Sequence, residues 1–171
     1  NSINGDVSNP KDYEETPNDI LGYDYEMYLS RDCKTVTVLS DYGNKTAVIA
    51  LDVSNLETKI MLKNYVVIDG DYKTSRMVDG KLIVITNKYY YKNVDFSKEE
   101  TFIPSISYND GKETMLIPMD NIALPEKITT QNHTVISLLD ENSLNINGCA
   151  SFLSFTNDLY ITNNAIYASN T

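Results

Sequence analysis

The chain has 171 residues with 24 acidic and 14 basic side chains, giving a formal net charge of −10 and an isoelectric point near 4.4. That length suits one domain or a piece of something larger, and the acidic balance argues against nucleic-acid binding, which needs clustered lysine and arginine to neutralise phosphates. The longest apolar run, Ala47 to Leu51, is far short of the roughly 18 residues that a membrane span requires.

Composition favours an all-β chain. Val, Ile, Thr and Tyr supply 55 residues and Ala only 6; β-branched and aromatic side chains suit a pleated surface and lose rotamer freedom in a helix. Asn (19) and Asp (15) recur at short intervals, as turns between short strands require.

In chain order, residues 1–20 are polar, lack alternation and read as a flexible lead-in. They hold no apolar signal-peptide core, and the first residue is not Met, so the chain reads as processed or excised from a longer precursor, with any export signal or anchor outside it. Residues 21–69 form a first blade-like repeat, with strands expected at Asp24–Ser30, Lys34–Ser40, Thr46–Asp52 and about Thr58–Ile68. Residues 70–155 form a second, with strands at Tyr72–Met77, Lys81–Asn87, Thr134–Leu139 and about Asn145–Phe155, interrupted by a long insertion over 88–132. Residues 156–171 open a third with a hairpin through Asn163-Asn164. Asp79-Gly80 and Asn163-Asn164 tolerate the positive φ of two-residue hairpin turns.

The repeat shows in matched segments. KTVTVLS at Lys34 matches KLIVITN at Lys81, an offset of 47; VIAL at Val48 matches VISL at Val135; and Ile166 in NNAIYAS matches Leu82. With the insertion removed, the period is that of a four-stranded propeller blade, about 40–50 residues. Such a blade is apolar on both faces and must stack on neighbours. Two and a half blades cannot close a ring, and their open edges invite self-association. The expected fold is therefore all-β, built of antiparallel four-stranded blade-like repeats, a partial β-propeller. The alternative is a β-sandwich of about ten strands.

The stretch Asp71–Tyr91, with GYDYEMYLS at Gly22, TAVIALDVSN at Thr46, the SRM-x-DG hairpin at Ser75, HTVISLLD at His133 and LYITNNAIYAS at Leu159, resembles a family of bacterial secreted proteins with a C-terminal β-propeller domain distantly akin to WD repeats. The resemblance implies a propeller fold and extracellular or cell-surface exposure. It carries no catalytic residues over.

Candidate chemistry is sparse. There is one histidine, His133, with no nucleophile motif beside it, no G-x-S-x-G and no phosphate-binding glycine loop. Carboxylate pairs occur at Asp69/Asp71, Glu99/Glu100 and Asp24/Glu26, as glycosidases need, but acidic turns are commonly solvated surface. DGD at Asp69 and NDG at Asn109 hint at calcium without completing its loop pattern. Cys33 and Cys149 could pair or remain thiols. No catalytic residue, cofactor or metal is expected. The insertion opens with Tyr89, Tyr90 and Tyr91 and is too apolar for a linker; it either covers sheet edges or presents a recognition surface. Arg76 pairs with a nearby acid or carbonyl, or meets a ligand. Tyr89, Tyr90, Tyr91 and Arg76 are thus the candidate partner contacts. The function expected is a non-catalytic extracellular interaction or scaffold module, binding a protein, peptide or cell-wall polymer. The alternative is part of an extracellular hydrolase whose active site other blades complete.

Overall fold

The computed structural model describes residues 24–55, 59–90, 94–95, 97–128, 130–154, 158–162 and 165–169. The expected lead-in, Tyr91 and the Asn163-Asn164 turn lie outside them. Strands β1 (Asp24–Leu29), β2 (Thr35–Asp41), β3 (Lys45–Asp52) and β4 (Met61–Asp69) form an antiparallel meander. It turns directly into β5 (Asp71–Val78) and β6 (Lys81–Lys88). A long excursion follows, holding the hairpin β7 (Ser105–Tyr108) and β8 (Glu113–Leu116) and the short β9 (Ile122–Ala123). The chain then resumes the second meander with β10 (His133–Asp140) and β11 (Ile146–Leu153), and ends in the hairpin β12 (Asp158–Ile161) and β13 (Ile166–Ser169).

The first sheet runs β1-β2-β3-β4-β7-β8 and the second β5-β6-β10-β11-β9. Every pairing is antiparallel except the short contact of β9 with β11. The excursion thus adds a strand pair to the outer edge of one meander, through Val67–Ser107 and Ile68–Ile106, and a single strand to the outer edge of the other. Among the described residues the sheets do not close into a ring.

The matched segments occupy matched places. KTVTVLS and KLIVITN are the second strands of their meanders, and VIAL and VISL the third. The Asp79-Gly80 hairpin has positive φ at both residues (47° and 78°) between the paired Val78 and Lys81, the geometry that a two-residue turn demands. The fourth strand starts later than the sequence suggested, at Met61.

Alternation along β3 explains the stacking. Val48 and Ala50 are fully buried on one face, with Leu39, Val66 and Ile68, against Leu82, Val84, Val135 and Leu139 of the second sheet. Ile103, Ile106 and Ile117 of the excursion enter the same core. Ala47 and Ile49 are buried on the other face, where Tyr42, Leu51, Leu62 and Tyr65 pack on them. Each fully buried aliphatic side chain contributes about 1.5–3 kcal/mol, so neither face tolerates exposure.

The joint between the meanders is one residue. Gly70 has φ +101°, and a Cβ there would lie 2.7 Å from the carbonyl carbon of Asn87. Thr46 Oγ1 donates to Gly70 O at 2.9 Å, and Thr86 Oγ1 to Asp69 O at 2.6 Å. The Asp69 carboxylate, 7% exposed, meets Lys45 Nζ at 3.1 Å and Lys88 Nζ at 3.7 Å, and accepts from Ser105 N and Oγ, both at 3.0 Å. First sheet, second sheet and excursion therefore meet on one side chain. At another turn cluster, Arg31 Nε pairs with Glu141 Oε1 at 3.1 Å, its guanidinium lying over Gly80.

These contacts rank three glycines. Gly70→Ala combines positive φ with a backbone clash and should cost about 1–3 kcal/mol or more. Gly43→Ala meets no atom but has φ +68° and should cost about 1 kcal/mol. Gly148→Ala, in β11 with neither constraint, should be neutral or stabilising by about 0.5–1 kcal/mol. Urea-unfolding midpoints of the three variants check that order.

Candidate functional site

Two turns face each other across an open cleft of about 650 Å³, and β4 holds both. In the β7–β8 turn, Asn109, Asp110 and Gly111 all have positive φ. Tyr65 of β4 clamps it, its hydroxyl donating to Asp110 O at 2.7 Å and its N–H to Asp110 Oδ1 at 3.3 Å. In the β10–β11 turn, Asp140 Oδ1 accepts from Asn142 N, Ser143 N and Ser143 Oγ at 2.9–3.1 Å. Those bonds hold its carboxyl below the usual carboxylate range. The neighbouring Asn64 of β4 donates its amide to Ser143 O at 2.8 Å. Leu144 sits there at φ +57°, a conformation costing a branched residue about 1–2 kcal/mol, offset by complete burial of its side chain in the core.

The lining is amide-rich: Asn64, Asn109, Asn121, Asn145 and Asn147, with Tyr108, Glu113, Met115 and Gly148. Four amide nitrogens are committed. Asn64 Nδ2 donates to Ser143 O, Asn109 Nδ2 to Glu113 Oε1 (2.9 Å), Asn121 Nδ2 to Cys149 O (3.0 Å) and Asn147 Nδ2 to Asn145 O (3.3 Å). Because each partner is an oxygen acceptor, the amide orientations are fixed, and the Oδ1 atoms remain as acceptors that no described residue fills. Glu113 accepts from Asn109 and Tyr108, which holds it ionised below the ordinary carboxylate range. Each of these amide nitrogens keeps a second N–H, so the cleft offers amide donors as well as acceptors, and the ionised Glu113 tips the balance toward a ligand that brings N–H, O–H or ammonium donors. The register of β11 on β10 skips from Gly148 to Ile146, leaving Asn147 as a bulge at the cleft wall, a device that re-aims a side chain.

The stacked meanders leave one question of architecture, since two sheets with a common core also describe a sandwich. A family model for the β-propeller domain matches residues 9–171. The chain belongs to the β-propeller domain family. No curated protein and no solved structure matches it significantly. Membership identifies the four-stranded meanders as propeller blades, excluding the sandwich.

Elsewhere in this propeller chain the excursion borders a second, apolar pocket of about 200 Å³, lined by residues including Tyr90, Phe102, Ile103, Met119, Ile122, Leu124 and His133. Tyr90 is half-buried and packs edge-on against His133, with ring centroids 5.8 Å apart and Lys88 Nζ 5.7 Å from its centroid. Burial pushes its hydroxyl pKa up. His133, 6% exposed, places Nδ1 3.0 Å from Ser151 Oγ. On the first strands of the two meanders, Glu26 Oε2 accepts from Tyr28 and, at 2.7 Å, from Ser75 Oγ, which lies 2.9 Å from the Tyr72 hydroxyl. Burial raises both tyrosine pKa values, that of Tyr72 to about 12.

The residues singled out from sequence fall in three places. Tyr89 and Tyr90 follow β6 and are half-buried, Tyr90 lining the apolar pocket, and Tyr91 lies outside the described residues. Arg76 is exposed on β5, and its guanidinium donates to Ile161 O, tying the second blade to the terminal hairpin. Tyr89, Tyr90 and Arg76 do not line the amide cleft. Asp69, read as a hint of calcium, holds two lysines instead, and Asn109 of NDG turns a hairpin. Cys33, exposed, and Cys149, half-buried at the cleft, are both free. The cleft residues escaped sequence reading because they come from four separate segments. A glycine inside the β11 strand was the available signal.

His133 generates a pH dependence. Burial pushes its pKa down to about 4, whereas an unfolded histidine titrates near 6.5. Between those values the unfolded chain binds a proton that the folded chain refuses, so stability should fall as pH drops from about 6.5 to 4, by up to a few kcal/mol. Denaturant unfolding at stepped pH should show this slope in the parent chain and a flatter one in His133→Gln.

Proposed function

We propose that this β-propeller chain is a non-catalytic interaction module working outside the cell, and that the amide-lined cleft between its blade edges is the surface it presents to a protein, peptide or wall-polymer partner. The carrying observation is the set of four asparagines whose amides are oriented by bonds to the protein, with Glu113 held ionised beside them. Acceptors fixed in advance cost no rotamer entropy when a donor-rich partner arrives. The acidic net charge favours such a partner further. The resemblance to secreted propeller proteins supports the extracellular setting.

A hydrolase reading has Glu26 with Tyr28, Tyr72 and Ser75 as its focus. One carboxylate there, flanked by tyrosines whose protons are held more tightly than usual, offers neither the carboxylate pair nor the activated nucleophile that glycoside or acyl transfer needs. Among the described residues Glu113 is likewise the single carboxylate lining the cleft, and the apolar pocket has none.

The test is a titration of the isotope-labelled chain with soluble wall fragments, neutral oligosaccharides and short peptides, followed by amide chemical shifts and mass analysis of the recovered ligand. Shifts at Asn109, Glu113, Asn121 and Asn147 with chemically unchanged ligand are expected. Shifts centred on Glu26, Tyr28 and Tyr72, or a cleaved ligand, would overturn the reading.

A further inference from the structure

Resting on the cleft as a binding surface, we propose that its occupant is an extended, basic peptide segment that lies along the exposed edge of β11 over Gly148. Gly148 is in the strand interior, without positive φ, and a Cβ there would meet nothing within 4 Å. The fold does not require a glycine at that position, and glycine weakens a strand. A strand glycine answers to a bulge or to the close approach of another backbone; the bulge here falls on Asn147, and the empty Cβ position on the wall of a cleft favours the second.

Among the described residues no strand pairs with the edge beside it. β9 pairs with β11 at Ser151 and Phe152, and the stretch from Ile146 to Cys149 has β10 on one side and the cleft on the other. Asn121 Nδ2 already donates to Cys149 O, showing that the outward backbone groups there accept partners from the cleft side. An added strand would supply further ones, and main-chain pairing at a sheet edge is a general mode of peptide capture. The chemistry of the opposite wall selects among peptides. Glu113, the one carboxylate lining the cleft among the described residues, repels an acidic side chain and attracts lysine or arginine, and the asparagine oxygens add acceptors beside it. An edge that stays exposed in the folded chain must also avoid pairing with copies of itself, and the bulge at Asn147 limits regular pairing there.

The probe is an N-acetylated, C-amidated hexapeptide of alternating threonine and lysine, titrated into the labelled chain. Its controls are the threonine–glutamate counterpart, the same lysine peptide N-methylated at alternate residues, and a neutral oligosaccharide. Amide shifts over Asn147–Cys149 and Glu113–Met115 are expected with the lysine peptide. Binding should weaken about tenfold or more on N-methylation, in Gly148→Val and with the glutamate peptide. Gly148→Val should unfold at or above the parent's urea midpoint, so that lost binding reports a filled cleft rather than a lost fold. Equal binding of the N-methylated or the glutamate peptide, or unimpaired binding by Gly148→Val, would overturn the inference. Cleft shifts from the oligosaccharide alone would overturn the peptide assignment while leaving the cleft as a binding surface. Silence from every probe would remove both.

Discussion

At Gly70 the chain passes from the last strand of one blade to the first of the next with a single residue between them, its α-carbon so near the Asn87 backbone that no side chain fits. The sheets cannot slide apart there, because Thr46 and Thr86 bond the carbonyls of the joint and Asp69 draws Lys45, Lys88 and Ser105 to one carboxylate. Two lysines on one buried acid offset the desolvation that would otherwise make Asp69 costly. Burial of both faces of β3 follows from this registration, since the aliphatic rows at Val48 and Ala50 find Leu82 and Val84 only if the joint is tight.

The same registration sets the position of the cleft. β4 ends at the joint, and a few residues earlier it presents Asn64 and Tyr65, which clamp the β10–β11 turn and the β7–β8 turn respectively. One strand thus fixes both walls. The excursion between β6 and β10 adds strands to both blades, and its isoleucines at 103, 106 and 117 lie in the common core. A wall built on strands, with turns whose positive-φ residues are pinned by side chains, holds its polar groups in place better than a free loop would.

The blade architecture was legible because its signal is periodic. With the insertion over 88–132 set aside, matching strand positions recur at a near-constant offset, and Asp79-Gly80 marks its own turn type through the φ values only such residues accept readily. The edge strands of the excursion carried no such signal. β7, β8 and β9 are two to four residues long and are strands because β4 and β11 offer edges to pair with, a tertiary cause that local pattern does not encode. The cleft was invisible for a related reason: asparagines at 64, 109, 121, 145 and 147 look like turn residues one at a time. Their chemistry as a set appears only when two blades and the excursion bring them to one place. The tyrosine run at 89–91 pointed instead to the excursion's root, where Tyr90 packs on His133.

Glycine carries two opposite meanings in this chain, and the contrast separates structure from function. At Gly70 the protein's own backbone occupies the space of a side chain, so the residue answers to the fold. At Gly148 nothing within 4 Å occupies it and the backbone conformation is open to any residue, so the fold loses strand propensity there for no internal return. Natural sequences break local rules chiefly at functional sites. A strand position left bare beside a bulge, a free edge and a wall of fixed acceptors is such a break, and its natural explanation is something outside the chain that comes close.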